Sequence, residues 1–215
     1  EINHMNLSDI KKEYNAVFSL GQNCWPAWAL YQLELSPFFG VIDFMLSPSL
    51  EKVNVLLQNR FDRFLNFENL SFISFWDDDA KLRLRDNLYE IDSCHDFKTD
   101  VNTPTSWPSY TEIKLNYEHR INRFLATIET AESILFIRTG GTYEEACSLE
   151  QILSQIVTHT FSVLLLIPAD IPTITQEDWG LQRICVMKCP IMDVYQYNEA
   201  FWKDLFDGIT VRPHT

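Results

Sequence analysis

The chain has 215 residues, 46% of them hydrophobic and 13% aromatic, and its 30 acidic against 17 basic side chains leave a formal net charge of −13. That length can bury a full core, while 6 glycines, 9 prolines and 22% charged residues exclude collagen-like, low-complexity and disordered classes. The apolar runs are too short to span a bilayer, and a negative field without a basic stripe repels phosphate backbones, so neither a membrane nor a nucleic acid is an expected partner.

Residues 1–12 read as a polar N-terminal segment ahead of a single domain over 13–211. No charged stretch followed by an apolar one opens the sequence, so a cytoplasmic setting is expected. Val17 to Leu20, closed by Gly21, has the length and apolarity of a core strand. Trp25 to Leu33 follows as a helix with Pro26 in its first turn, which puts Cys24 at that helix's N-terminus. Ser47-Pro48 reads as a cap and start for a second helix carrying Leu50, Val53, Leu56 and Leu57. Phe61 to Phe75 is strongly aromatic and fits a lid or satellite core. Leu88 to Asp92 alternates as a strand and would deliver Ser93-Cys94-His95-Asp96 to a turn.

The stretch Asn102 to Ser109 holds prolines and hydroxyl residues that favour a loop. Ile113, Tyr117, Ile121, Phe124, Leu125 and Ile128 then mark one face of a long helix. Ile134 to Ile137 is a buried strand, Thr142 and Glu145 form a capping box for the next helix, Val163 to Ile167 is a strand covered on both faces, and Ile184 to Met187 is another. The β-α order predicts an α/β fold: one three-layer domain with a mostly parallel sheet and helices on both faces.

In such folds ligands collect beyond the carboxyl ends of strands. The turn Ser19-Leu20-Gly21-Gln22-Asn23-Cys24 places a thiol at a helix N-terminus, where the dipole and unpaired N–H groups favour a thiolate. His95 is a candidate general base, with Asp96 or Asp43 as its orienting carboxylate. The oxyanion and substrate would be met by N–H groups around Asn23, by the Gln22 or Asn23 amide, and by Ser19 in the same turn, with Arg138 holding an acidic substrate group. Asp77-Asp78-Asp79 offers a second reading, in which clustered carboxylates hold a cation and with it a sugar nucleotide. The other cysteines, Cys94, Cys147, Cys185 and Cys189, lack paired CxxC spacing, so neither a structural zinc nor a disulfide framework is expected. No dinucleotide or nucleoside triphosphate loop is present, and the thiol reading requires neither cofactor nor metal.

Phe18-Ser19-Leu20-Gly21-Gln22-Asn23-Cys24-Trp25-Pro26-Ala27, Ile42-Asp43-Phe44, Phe61-Asp62-Arg63-Phe64-Leu65 and Ser93-Cys94-His95-Asp96-Phe97 together resemble a bacterial and viral family described only as papain-like cysteine peptidases. The likeness continues through Tyr117 to Leu125 and Ile134 to Arg138. It implies a Cys24 nucleophile with His95 as base and brings no known substrate. A papain-like enzyme sets its cysteine on a helix facing an antiparallel sheet, whereas the order of elements here points to a parallel sheet. The Gly-Gln-Asn-Cys turn is also similar to that of a capsule-biosynthesis acyltransferase, which implies acyl transfer involving a glycan. The expected activity is therefore a cysteine-dependent hydrolase or acyltransferase acting on a peptide, ester or thioester carbonyl, with a peptide, acyl or glycan substrate.

Overall fold

A computed structural model of the chain describes residues 4–213. In chain order the elements are α1 (Leu7–Ile10), β1 (Glu13–Tyr14), β2 (Ala16–Ser19), α2 (Trp25–Gln32), β3 (Met45–Leu46), α3 (Leu50–Gln58), a 3-10 turn (Phe67–Asn69), β4 (Leu70–Trp76), β5 (Lys81–Asp86) and β6 (Ile91–Lys98). They continue with α4 (Tyr110–Thr130), β7 (Ser133–Thr139), α5 (Tyr143–Ile156), β8 (Thr160–Ala169), β9 (Thr175–Glu177), β10 (Ile184–Pro190), α6 (Ile191–Tyr195), α7 (Glu199–Phe206) and β11 (Thr210–Val211).

The apolar runs build a five-stranded sheet in the order β2-β7-β8-β10-β9. It is mixed: the first four strands run parallel and β9 is antiparallel to β10. Successive side chains leave a strand on opposite faces, so Phe136, Val163, Leu165 and Val186 pack with Val53, Phe124 and Leu153 of α3, α4 and α5. Leu135, Ile137, Leu164 and Met187 pack on the other face with Ile10, Leu30 and Trp202 of α1, α2 and α7. Residues 1–3 of the expected N-terminal segment lie outside the described residues; within the rest of it, α1 buries Ile10 in that second face. Among the described residues no helix is long and apolar enough to cross a membrane.

The α/β class holds, but a single, mostly parallel sheet does not account for the chain. Between α3 and α4 it builds a separate antiparallel sheet, β3-β6-β5-β4. Lys81-Leu82-Arg83-Leu84-Arg85 alternates, turning Leu82 and Leu84 onto Phe97, Trp107 and Tyr110, and sending Arg83 and Arg85 to the buried Asp92. The expected strand over Leu88 to Asp92 is mostly a turn, because Asp86 Oδ1 accepts the N–H groups of Leu88 and Tyr89 and curls the chain there. Ser93 to Asp96 therefore lie within β6 and not in a turn. Phe61 and Phe64 enter the main core, whereas Phe67 and Phe75 remain exposed.

Two helix starts meet at one carboxylate. The Thr142–Glu145 capping box forms as expected, with N···O distances of 3.0 and 3.2 Å, and Glu145 Oε2 also accepts the Glu51 N–H of α3 at 2.7 Å. The cap of α3 is Ser49, not Ser47, which is engaged elsewhere. Each satisfied cap contributes about 1 kcal/mol. Thr142→Ala is expected to cost about 1 kcal/mol in urea denaturation, and Glu145→Ala more than Thr142→Ala, since it leaves N–H groups of two helices unmatched.

Candidate active site

The end of β2 is bent into the Cys24 turn by contacts that leave little freedom. Gly21 has φ 93°, and a Cβ there would meet Ser47 Oγ at 1.8 Å and Arg138 Nη1 at 2.9 Å, so only glycine fits. Asn23 spans the turn: its Oδ1 accepts the Trp25 N–H at 3.0 Å and its Nδ2 donates to Val194 O at 3.1 Å. Trp25 Nε1 donates to Tyr195 O at 3.0 Å, tying the start of α2 to α6. Cys24 occupies the N-cap position of α2.

The partner comes from the antiparallel sheet. In the β5–β6 pairing Leu82 faces Phe97 and Leu84 faces Ser93, so Cys94, His95 and Asp96 stand opposite Arg83 alone. Such a bulge re-aims side chains. It brings His95 Nε2 to 3.4 Å from Cys24 Sγ. Helix-borne thiol and sheet-borne imidazole thus face each other, the disposition that the papain-like resemblance implies and the order of elements did not suggest.

Burial pushes the Cys24 thiol up to about 11. The N-terminus of α2 favours thiolate, but burial acts in the opposite sense to the expected lowering of the thiol. Burial, then the charge of Lys81, lowers the His95 imidazole, and Asp96 and Asp77 oppose that shift. At neutral pH the resting pair is a protonated thiol beside a neutral imidazole.

Neither expected orienter hydrogen-bonds the His95 ring. Asp96 Oδ2 accepts from Ser93 Oγ at 2.6 Å and Tyr117 Oη at 2.8 Å. Burial, then Asp96, raises the Tyr117 hydroxyl well above its usual range and keeps it a donor. Asp43 is buried, with Oδ1 accepting the Ser19 N–H at 3.2 Å and Oδ2 the Gly40 N–H at 2.8 Å. It steadies the strand end from which the Cys24 turn departs.

The other expected site residues are mostly structural. Ser19 is buried and its Oγ accepts the Gly21 N–H at 3.2 Å. Gln22 Oε1 accepts from Tyr195 Oη at 3.4 Å, and Gln22 lines a neighbouring cavity of about 230 Å³, while the amide of Asn23 is engaged at both ends. Arg138 is fully buried and donates to Leu20 O, Ser47 O and Gly140 O, so it is not presented to a ligand. The Cys24 N–H, in contrast, has no protein acceptor among the described residues. Asp77, Asp78 and Asp79 form the β4–β5 turn, and Asp77 pairs with Lys81 at 3.4 Å. Among the described residues no group of three or more His, Cys, Asp or Glu side chains is arranged to hold a metal ion, so the cation reading of this triplet is set aside.

Cys24 and His95 open into a cavity of about 720 Å³ walled by Trp25, Trp28, Phe44, Leu46 and Trp76, with Asp96, Tyr117, Arg120 and Tyr195 among its polar lining. That volume suits a small organic group. Trp28, one helical turn beyond Cys24, could have been found from spacing alone. Arg120 and Tyr195 could not, since only the packing of α4 and α6 brings them to the same cavity.

Asp43 keeps its proton to about 7, against 3.8 for an ordinary aspartate, because burial disfavours its charge. Between those values the folded state binds more protons than the unfolded, so its contribution is fully present below 3.8 and is lost as pH rises to about 7. The stability of Asp43→Asn relative to wild type should accordingly improve from pH 4 to about pH 7.5 in urea denaturation; a difference that does not change with pH would show that Asp43 is ionised throughout.

Residues 15–168 match the family described as "Putative papain-like cysteine peptidase (DUF1796)". No curated protein and no solved structure matches the chain. The match takes in both the Cys24 turn and β6 and covers most of the sequence, and on that evidence the chain belongs to this family of putative papain-like cysteine peptidases.

Proposed function

We propose that the protein is a cysteine hydrolase in which Cys24 attacks a substrate carbonyl and His95 moves the proton. The observation that carries this reading is the 3.4 Å separation of Cys24 Sγ and His95 Nε2 at the mouth of the aromatic cavity. As the sulfur adds to the carbonyl carbon, Nε2 accepts the thiol proton, and the carbonyl oxygen takes up the negative charge within reach of the free Cys24 N–H. The imidazolium then protonates the leaving amine, alcohol or thiol, and an acyl thioester remains on Cys24. Water deprotonated by His95 completes hydrolysis; a hydroxyl or amine acceptor in place of water would make the same thioester an intermediate of acyl transfer.

Because thiol and imidazole are both neutral at rest, the reaction depends on His95 as a base and not on a standing thiolate. Cys24→Ala should abolish ester and thioester hydrolysis, and His95→Gln should lower kcat by about 10²- to 10⁴-fold. Iodoacetamide should label Cys24 ahead of the buried Cys94, Cys185 and Cys189, as read by peptide mass mapping, and His95→Gln should slow that labelling. Equal labelling rates in wild type and His95→Gln would remove the imidazole from the reaction.

The pH profile follows from the same groups. The unprotonated imidazole is the active form, so kcat/KM should fall on acidification through a pKa below the usual 6.5, the direction in which burial and Lys81 move His95. No alkaline inflection is expected until the thiol ionises near 11. A rate that rises in proportion to thiolate between pH 7 and 9 would show that His95 is not the base.

A further inference from the structure

One cation in the cavity forms no ion pair among the described residues. Around the site, Lys81 pairs with Asp77, Arg83 and Arg85 share Asp92, Arg123 donates to Phe39 O, and Arg138 is spent on backbone carbonyls. Arg120 lines the cavity that holds Cys24 and His95, and its guanidinium carbon lies 4.9 Å from the centre of the Tyr117 ring. Among the described residues it forms no ion pair. Of the two carboxylates that share its surroundings, Asp96 gives Oδ2 to the hydroxyl protons of Ser93 and Tyr117, and the buried Asp43, which feels the Arg120 charge, gives each oxygen to a backbone N–H.

Within the protein Arg120 is held by Tyr117, and among the described residues no carboxylate pairs with it. A planar guanidinium braced on an aromatic ring is suited to binding a carboxylate or similar oxyanion, and it lines a cavity whose other walls include Trp28, Phe44, Leu46 and Trp76. A purely apolar substrate would leave that charge buried and unpaired when it displaced water, which is unfavourable. We infer that Arg120 is a specificity-determining residue: the thiol acts on carbonyl substrates that carry a flat apolar group ending in an anionic oxygen group, whose charge Arg120 pairs. This assignment rests on the Cys24–His95 reading.

The test uses three bromomethyl aryl ketones, unsubstituted, para-carboxylate and para-trimethylammonium. In each the Cys24 sulfur forms a bond to the methylene carbon, bromide leaves, and His95 accepts the thiol proton. With wild-type protein the carboxylate reagent is expected to inactivate about tenfold or more faster than the trimethylammonium reagent, with the neutral one between, a preference that weakens with added salt. Arg120→Gln should bring the three rates together, and Arg120→Lys should restore the order. Equal rates in wild type, a cation preference, or an unchanged carboxylate preference in a folded Arg120→Gln protein would each overturn the assignment while leaving the thiol chemistry intact. Failure of all three reagents to alkylate Cys24 faster than a free thiol would overturn the Cys24–His95 reading and this inference with it.

Discussion

The guanidinium of Arg138 lies where three parts of the chain converge. It donates to Leu20 O at the end of β2, to Ser47 O just after β3, and to Gly140 O just after β7, its own strand. β2 and β7 belong to the mixed sheet and β3 to the antiparallel one, so a single side chain joins the two. Burial lowers its pKa to about 10, which leaves it charged at neutral pH. A buried cation without its partners would be strongly destabilising; here carbonyls that would otherwise face a dry interior are satisfied by it, and each side of the arrangement requires the other. The glycine that precedes the Cys24 turn is confined by the same guanidinium. The relation between the two sheets, and hence between thiol and imidazole, follows from this junction.

Much of the mixed sheet could be read in advance because its strands are unbroken apolar runs bounded by turn formers or capped helices. Thr142 and Glu145 show the same legibility on a smaller scale, since a capping box is a local pattern with a local consequence. The antiparallel sheet was less accessible. Its strands are short, its register is shifted by a bulge, and the turn that ends β5 depends on the Asp86 carboxylate reaching Leu88 and Tyr89. Leu88, which reads as the start of a strand, lies in that turn, and four positions including His95 move from a turn into a strand.

The same division separates the site residues. Cys24 stood out by its place on the turn before α2, and its pairing with His95 by the family resemblance, since cysteine as a type is more often a packing residue, as Cys94, Cys185 and Cys189 are. Asp43, Asp96, Ser19 and Arg138 also belong to types that can serve catalysis, but their hydrogen bonds go to the protein itself. Composition does not distinguish a carboxylate aimed at an imidazole from one that receives two hydroxyls or two backbone N–H groups. Burial has the corresponding effect on the thiol: a helix N-terminus is favourable to negative charge, yet the desolvation around Cys24 makes the neutral form the resting one.

The segment that steadies the Cys24 turn from the far side comes late in the chain. Val194 O and Tyr195 O accept from Asn23 and Trp25, and Tyr195 lines the cavity beside the thiol, although the family match ends at residue 168. Most of the cavity wall, from Trp25 to Arg120, lies within the matched stretch, and Tyr195 is the part of it that comes from beyond. Because this segment holds the turn through backbone carbonyls, its side chains can vary without removing those two bonds, and a change at Tyr195 would recontour one wall of the cavity while the Cys24 turn kept its support.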